Sequence, residues 1–216
     1  NQAKIAAYQK MQTLLSSLAS AAEPFSTSNT SSLATSAFSA RSAAVTATGS
    51  VDPSAAVAMT VDNGAPTGTY TLTISQVAQA QKVTGTAVAS QSSDLGYTGT
   101  FSIGLSGGNS VDIAVNSNMS LQDIASAINA QETTSNVQAS VIQVSSSQFE
   151  LVLSATQDGA DIVTSAESGD DVLNKLGVTD GSGGFTNEVE KAQSAIVSLD
   201  GITITRNTND ISDEIG

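Results

Sequence analysis

The sequence predicts a mainly β protein with minor α: an N-terminal amphipathic helix followed by two small β-rich domains, the second (a sheet plus one short helix) inserted into the first. Three observations predict it. From residue 57 onward, apolar and polar residues alternate in short runs, the period of half-buried strands. Helical 3-4 spacing forms one long stripe at the N-terminus and only short ones near residues 121–130 and 170–177. Two hairpin-bearing segments, 57–74 and 196–204, are each too small to bury a core alone, so they need each other and enclose what lies between them.

In the first segment Ile5, Tyr8, Gln12, Leu15, Ala19 and Ala22 follow 3-4 spacing, Met11, Leu14 and Leu18 widen the stripe, and Pro24 stops it. The chain offers no second amphipathic helix of that length, so Ile5, Tyr8, Leu15 and Leu18 are expected to pack on a sheet, another subunit or further helices. Residues 25–49, rich in Ser, Thr and Ala, read as an extended connector. Val57, Met59 and Val61 alternate towards Asp62-Asn63-Gly64, and Tyr70, Leu72 and Ile74 answer after Pro66-Thr67-Gly68, a hairpin signature. Residues 76–84 read as a strand continuing past a bend.

A second hairpin follows from Phe101, Ile103 and Leu105 against Val111, Ile113 and Val115, with Gly107-Gly108-Asn109 between. Ser120 then opens a helix over 120–130, with Leu121, Ile124, Ala125 and Ile128 on one face and Asp123 placed to reach back to the free N-terminal amides. Val137, Ala139 and Val141, then Phe149, Leu151 and Leu153, resume the strand period. The unit reads strand, strand, helix, strand, strand, with one helix face covering one sheet face. Residues 170–177 read as a short helix with acids first, Lys175 late and Gly177 just past its end. Gly181-Ser182-Gly183-Gly184 reads as a linker, and Asp200-Gly201 as the turn of a last hairpin, Ile196 to Ile204.

Composition narrows the function classes. The 216 residues carry no Cys and no His, which removes disulfides, thiolate metal sites and imidazole chemistry. A net charge of -13 argues against a nucleic-acid or anionic-membrane partner and reads first as a solubility device. No apolar run approaches the roughly 20 residues needed to span a bilayer. Because the first residue is Asn1 and not Met, the chain is expected to be a fragment of a longer protein.

Three chemical patterns fail and a fourth stays open. Gly104-Leu105-Ser106-Gly107-Gly108 fits the nucleophile-elbow pattern, but no His is present to take the serine proton, and nothing places Lys82 or Lys175 beside it. Asp170-Asp171 and Asp210-x-x-Asp213-Glu214 could supply oxygen ligands, yet neither matches a calcium loop, and solvated helix ends explain them. The glycine run at 181–184 is followed by no Lys-Ser or Lys-Thr, so it is no phosphate loop. Paired acids for glycoside hydrolysis are open on spacing alone, but the absence of Trp weakens a sugar cleft.

Residues 192–213, AQSAIVSLDGITITRNTNDISD, resemble the segment AxDAxxxxDGxxxxRxxNxxxD of the bacterial flagellar filament cap family (FliD, flagellar hook-associated protein 2), with Ser194 standing where that family usually has an acid. Residues 68–82, GTYTLTISQVAQAQK, resemble the same family's GTYTLTVxQLAxAQK, and residues 120–130 with their flanking strands are similar to its "IN" repeat. The positions carrying the likeness are Gln79, Lys82, Asp200, Gly201, Arg206, Asn209 and Asp213. The resemblance implies a non-enzymatic, secreted structural protein at the filament tip, without cofactor or metal, forming a ring-like homo-oligomer and helping exported flagellin fold and insert. It further implies a leg helix and connector in residues 1–43, an outer β domain from 44–86 and 185–216, and an inserted domain at 87–184. The reading from another class is a secreted surface adhesin module with host glycan or mucin as its partner; an enzyme using an acid pair is the third.

Overall fold

The computed structural model describes residues 2–22, 40–63 and 65–212. Residues up to 69 and those from 70 onward are separate compact units and are taken one at a time.

The longest element of the first unit is helix α1, Gln2–Ala22. The stripe residues Ile5, Tyr8, Leu15 and Leu18 lie on it and are all more than half exposed. Downstream, a short helix α2, Pro53–Ala56, is opened by Asp52, whose side chain accepts from the Ser54 N–H at 2.9 Å, and by Pro53 in the first turn, where the missing N–H costs nothing. Residues 57–61 form no strand, contrary to the hairpin that their alternation predicts.

In the second unit the other half of that expected hairpin takes a distant partner. Strand β1, Leu72–Gln76, pairs antiparallel with β9, Ala195–Leu199, and β9 pairs with β10, Ile202–Arg206. The register aligns Leu72, Leu199 and Ile202 in one row and Ile74, Val197 and Ile204 in the next, so all six fall on one face of this three-stranded sheet. Alternation specifies which face a strand presents and says nothing about how far along the chain its partner lies, which is why the pattern at 57–61 misled. A bulge between Ile74 and Gln76 provides the expected bend, and the chain resumes as β2, Lys82–Thr84.

The other strands form two more sheets. Strand β2 sits between β6, Gln148–Ala155, and β8, Asn187–Glu190, while β5, Val137–Ser145, completes the order β5-β6-β2-β8. Strand β3, Gly99–Leu105, lies between β4, Ser110–Val115, and β7, Ile162–Gly169. The predicted hairpin β3-β4 is present, and the predicted strands β5 and β6 also pair as a hairpin, but the two pairs belong to different sheets. Helix α3, Leu121–Asn129, fills the space between them, burying Leu121, Ile124, Ala125 and Ile128 in a core shared with Phe101, Ile103, Leu151 and Leu153. Helix α4, Glu132–Ser135, ends on Asn136 in the left-handed conformation and leads into β5.

Local side-chain chemistry fixes the ends of these elements. The Ser120 hydroxyl accepts from the Asp123 N–H at 3.3 Å while the Asp123 carboxylate accepts from the Ser120 N–H at 2.9 Å, a complete capping box built with Asp in the place usually held by Glu. Helix α5, Val172–Lys175, is capped by Asp171 and closed by Gly177 at φ 65°, a left-handed position that suits glycine, with the Val178 N–H returning to the Leu173 carbonyl at 2.8 Å. Lys175 joins Asp170 at 2.6 Å and lies 5.2 Å from the centre of the Tyr97 ring. The glycine run at 181–184 proves to be a closed turn: the Asp180 carboxylate accepts from the Ser182 and Gly184 N–H groups at 2.7 and 3.0 Å, and the Asp180 N–H donates to the Gly184 carbonyl at 2.9 Å.

Hydrogen bonds from Ser120 to Asp123, from Lys175 to Asp170, and from the Ser182 and Gly184 N–H groups to Asp180 hold these three carboxyls below their ordinary range. A folded-state value below the unfolded one gives stability that is fully present above the ordinary aspartate value of about 3.9 and is lost as pH falls through the folded value. The melting temperature of the β-rich unit should therefore fall on acidification below about pH 4, and Asp123→Asn, which cannot titrate, should flatten that dependence. Ser120→Ala should cost about 1 kcal/mol in urea unfolding at neutral pH. A variant as stable as the parent would show that the capping box contributes nothing.

Candidate functional site

Ser106 ends in a structural role. Its N–H donates to the Asp161 carbonyl at 2.8 Å and its hydroxyl accepts from the Asp161 N–H at 3.2 Å, tying the β3-β4 turn to the start of β7. It borders an open crevice of about 430 Å³, which is lined also by Asn136, Gln157, Asp158, Asn207 and Thr208. Neither Lys82 nor Lys175 lines it. Among the described residues no cluster of three or more His, Cys, Asp or Glu side chains could hold a metal ion, and no helix is long and apolar enough to cross a membrane.

The motif positions come together elsewhere, where the segment at 70–82 meets the segment at 192–210. Asp200, at φ 49°, and Gly201, at φ 86°, make the tight β9-β10 turn. The Asp200 carboxylate accepts from the Thr71 N–H at 2.7 Å, and the Asp200 N–H donates to the Thr71 carbonyl at 2.9 Å. Asn209 grips Ala78 at both backbone groups: its Oδ1 accepts from the Ala78 N–H at 2.7 Å and its Nδ2 donates to the Ala78 carbonyl at 2.9 Å. Gln79 follows, exchanging backbone hydrogen bonds with Gln193 at 2.8 and 3.1 Å and accepting from Gly159 at 3.0 Å. Lys82 stands apart, 3.4 Å from Glu190 on β8, and Arg206 ends β10 opposite Ala195. Asp213 lies outside the described residues.

Three residues that the sequence did not single out share in this network. Gln81 is almost wholly buried; its Oε1 accepts from the Ile162 N–H at 2.6 Å, its Nε2 donates to Glu188, and its carbonyl accepts from the Ala155 N–H at 2.9 Å. Gln193 adds a side-chain bond to the Val77 carbonyl at 2.9 Å, and the Gln76 side chain donates to the Ser194 carbonyl at 2.7 Å. The available signal was a run of Gln at residues 76, 79 and 81 in an otherwise apolar strand pattern, since a carboxamide there must find both a donor and an acceptor. Among the described residues the assembly ties side chains of one segment to the backbone of the other.

Two family profiles match the chain: one described as the flagellar hook-associated protein 2 N-terminus, over residues 1–81, and one described as the flagellin hook IN motif, over residues 100–157. Among solved structures, the D1-D2-D3 domains of the flagellar cap protein FliD from Escherichia coli are 26% identical at a TM-score of 0.63, over 73% of this chain and 46% of that one. The FliD D2-D3 domains from Serratia marcescens are 26% identical at a TM-score of 0.59, over 70% and 84%. FliD from Pseudomonas aeruginosa PAO1, at 24% identity and a TM-score of 0.55 over 69% and 72%, shares the fold. No curated protein gives a significant match. The chain thus spans under half the length of the E. coli structure. With both profiles drawn from flagellar components and the fold shared with cap proteins of several bacteria, the chain is similar to the flagellar hook-associated protein 2 (FliD) family along most of its length.

Proposed function

We propose that the chain serves, without catalysis, in a cap at the distal end of the bacterial flagellar filament, where it associates with copies of itself and helps exported flagellin subunits fold and insert. The observation that carries this reading is the likeness to cap-protein domains across about seven tenths of the chain. The exposed apolar stripe of α1 supports self-association, because a helix with Ile5, Tyr8, Leu15 and Leu18 in water gains from a partner that covers them. Freedom from Cys suits a secreted protein that crosses compartments unfolded.

In the same reading residues 1–43 are a leg helix and connector, residues 44–86 and 185–216 an outer domain, and residues 87–184 a domain inserted within it. The pairing of β2 with β8, Val83 opposite Glu188, supports the nesting, since it brings the two crossing points side by side. The pairing of β2 with β6 carries the edge of the outer segment into the inner sheet.

An epitope tag placed between Ser182 and Gly183 in the exposed turn should, by immunogold microscopy of whole cells, mark one end of each filament. Label along the filament, or none on it, would overturn the reading. Leu15→Asp combined with Leu18→Asp should shift sedimentation towards monomer while the thermal melt of the β-rich unit stays unchanged. Ser106 should resist a fluorophosphonate probe, and Ser106→Ala should alter no filament phenotype; covalent labelling of Ser106 would contradict a purely structural role.

A further inference from the structure

The sheet β1-β9-β10 differs from the rest of the unit in what holds it. Its buried residues Ala195 and Val197 lie outside the main apolar cluster that joins β2 to β7, α3 and α5. Leu72, Ile74 and Ile202 on its apolar face remain more than a third exposed. A sheet with so little core of its own depends on other ties. Those present are polar: Gln79 bonds Gln193 and Gly159 through backbone, and a second set lies on one strap, residues 207–210, which leaves β10 and crosses the segment at 77–79.

Asn209 is the hook of that strap. Its carboxamide offers Ala78 one acceptor and one donor at 2.7 and 2.9 Å, taking the place of a neighbouring strand, and its Nδ2 also lies 3.4 Å from Asp158 on the loop before β7. The Asn207 Oδ1 accepts from the Ser194 hydroxyl at 2.8 Å, and the Thr208 hydroxyl donates to the Asp210 carbonyl at 2.7 Å, which hold the strap in shape on both sides of the hook. Asn207 and Thr208 also form one wall of the crevice whose other walls come from the β3-β4 turn and residues 156–160. One short strap thus spans the outer sheet and the loops of the inner core.

We infer that residues 207–210 are a clasp, with Asn209 as its hook, that fixes the sheet β1-β9-β10 to the inner core and whose release lets that sheet open while the core stays folded. Side-chain bonds to one backbone position can be lost together, whereas β3, β5, β6 and α3 share a continuous apolar core that opens only as a whole. The device is independent of the partners that the chain meets.

Hydrogen exchange with amide resolution tests it, with Asn129→Ala as the internal control. Asn129 makes the same pair of hydrogen bonds to a backbone, to Ala139 of β5 at 2.7 and 2.8 Å, but from the end of helix α3, whose apolar face packs in the inner core. Asn209→Ala should speed exchange at β1, β9 and β10 roughly tenfold or more and leave β3, β5 and β6 unchanged; Asn129→Ala should not single out the outer sheet. Asn209→Asp, which sets a carboxylate against the Ala78 carbonyl and Asp158, should act at least as strongly. Equal acceleration everywhere, or none in the outer sheet, overturns the clasp. Should the variants fail to fold, the parent chain in sub-denaturing urea decides: outer-sheet amides should exchange through an opening with a smaller urea dependence than core amides. A single shared dependence would show that no separate opening exists.

Discussion

The junction between the outer sheet and the inner core depends on how the segment at 77–84 satisfies its backbone. It passes from the outer sheet to the inner one, and an extended chain that leaves one sheet before joining another must find partners for each amide or forfeit the cost of burying it. The partners come from far along the chain: Asn209 for Ala78, Gln193 and Gly159 for Gln79, Ala155 for the Gln81 carbonyl, and then β6 and β8 for β2. Because residues 155–162 and 187–209 meet on this one segment, the two ends of the intervening chain are brought to the same place.

This division of labour follows from composition. Aromatic residues make up only 4% of the chain, so apolar burial must be concentrated where it serves most. It is spent around α3, where one helix face seats between the hairpins β3-β4 and β5-β6. The outer sheet receives little of it and is held by carboxamides and carboxylates instead, Asp200 at its turn and Asn209 at its exit. Hydrogen bonds to backbone contribute modestly each, but they demand particular geometry. That demand fits the place of Asp200, Gly201 and Asn209 in the segments that carry the resemblance: each shapes or ties backbone.

Much of the fold could be read from local pattern because its causes are local. The β3-β4 and β5-β6 hairpins, the helix opened by Ser120, the short helix closed by Gly177 and the Asp200-Gly201 turn each follow from residues within one another's reach. What stayed hidden was non-local. The partner of Leu72–Gln76 lies more than a hundred residues away, and no periodicity at 57–61 could exclude that competitor. The division of the four central strands between two sheets was equally silent, since alternation gives a strand its faces and not its sheet. The linker reading of 181–184 failed for a different reason: Asp180, outside the glycine run, accepts from two of its N–H groups and closes it. As for the candidate site, the motif positions were visible by resemblance, but their role in pairing two segments required knowing which backbone each side chain meets.

The same carboxamide geometry occurs twice, and the comparison shows what it achieves. At Ala139 the strand is β5, the edge of its sheet, and Asn129 reaches from the end of α3 to occupy both outward-facing groups of that rung. An edge so occupied is closed to another strand, while the helix that supplies the side chain is pinned to the sheet whose face it covers. At Ala78 there is no continuous strand to protect, and Asn209 supplies the missing neighbour itself. In both places one residue does the work of a strand at a single rung, which a longer strand could do only by extending the sheet along that edge. Along β5, the edge of its sheet, single-rung closure at Ala139 blocks strand addition at that point.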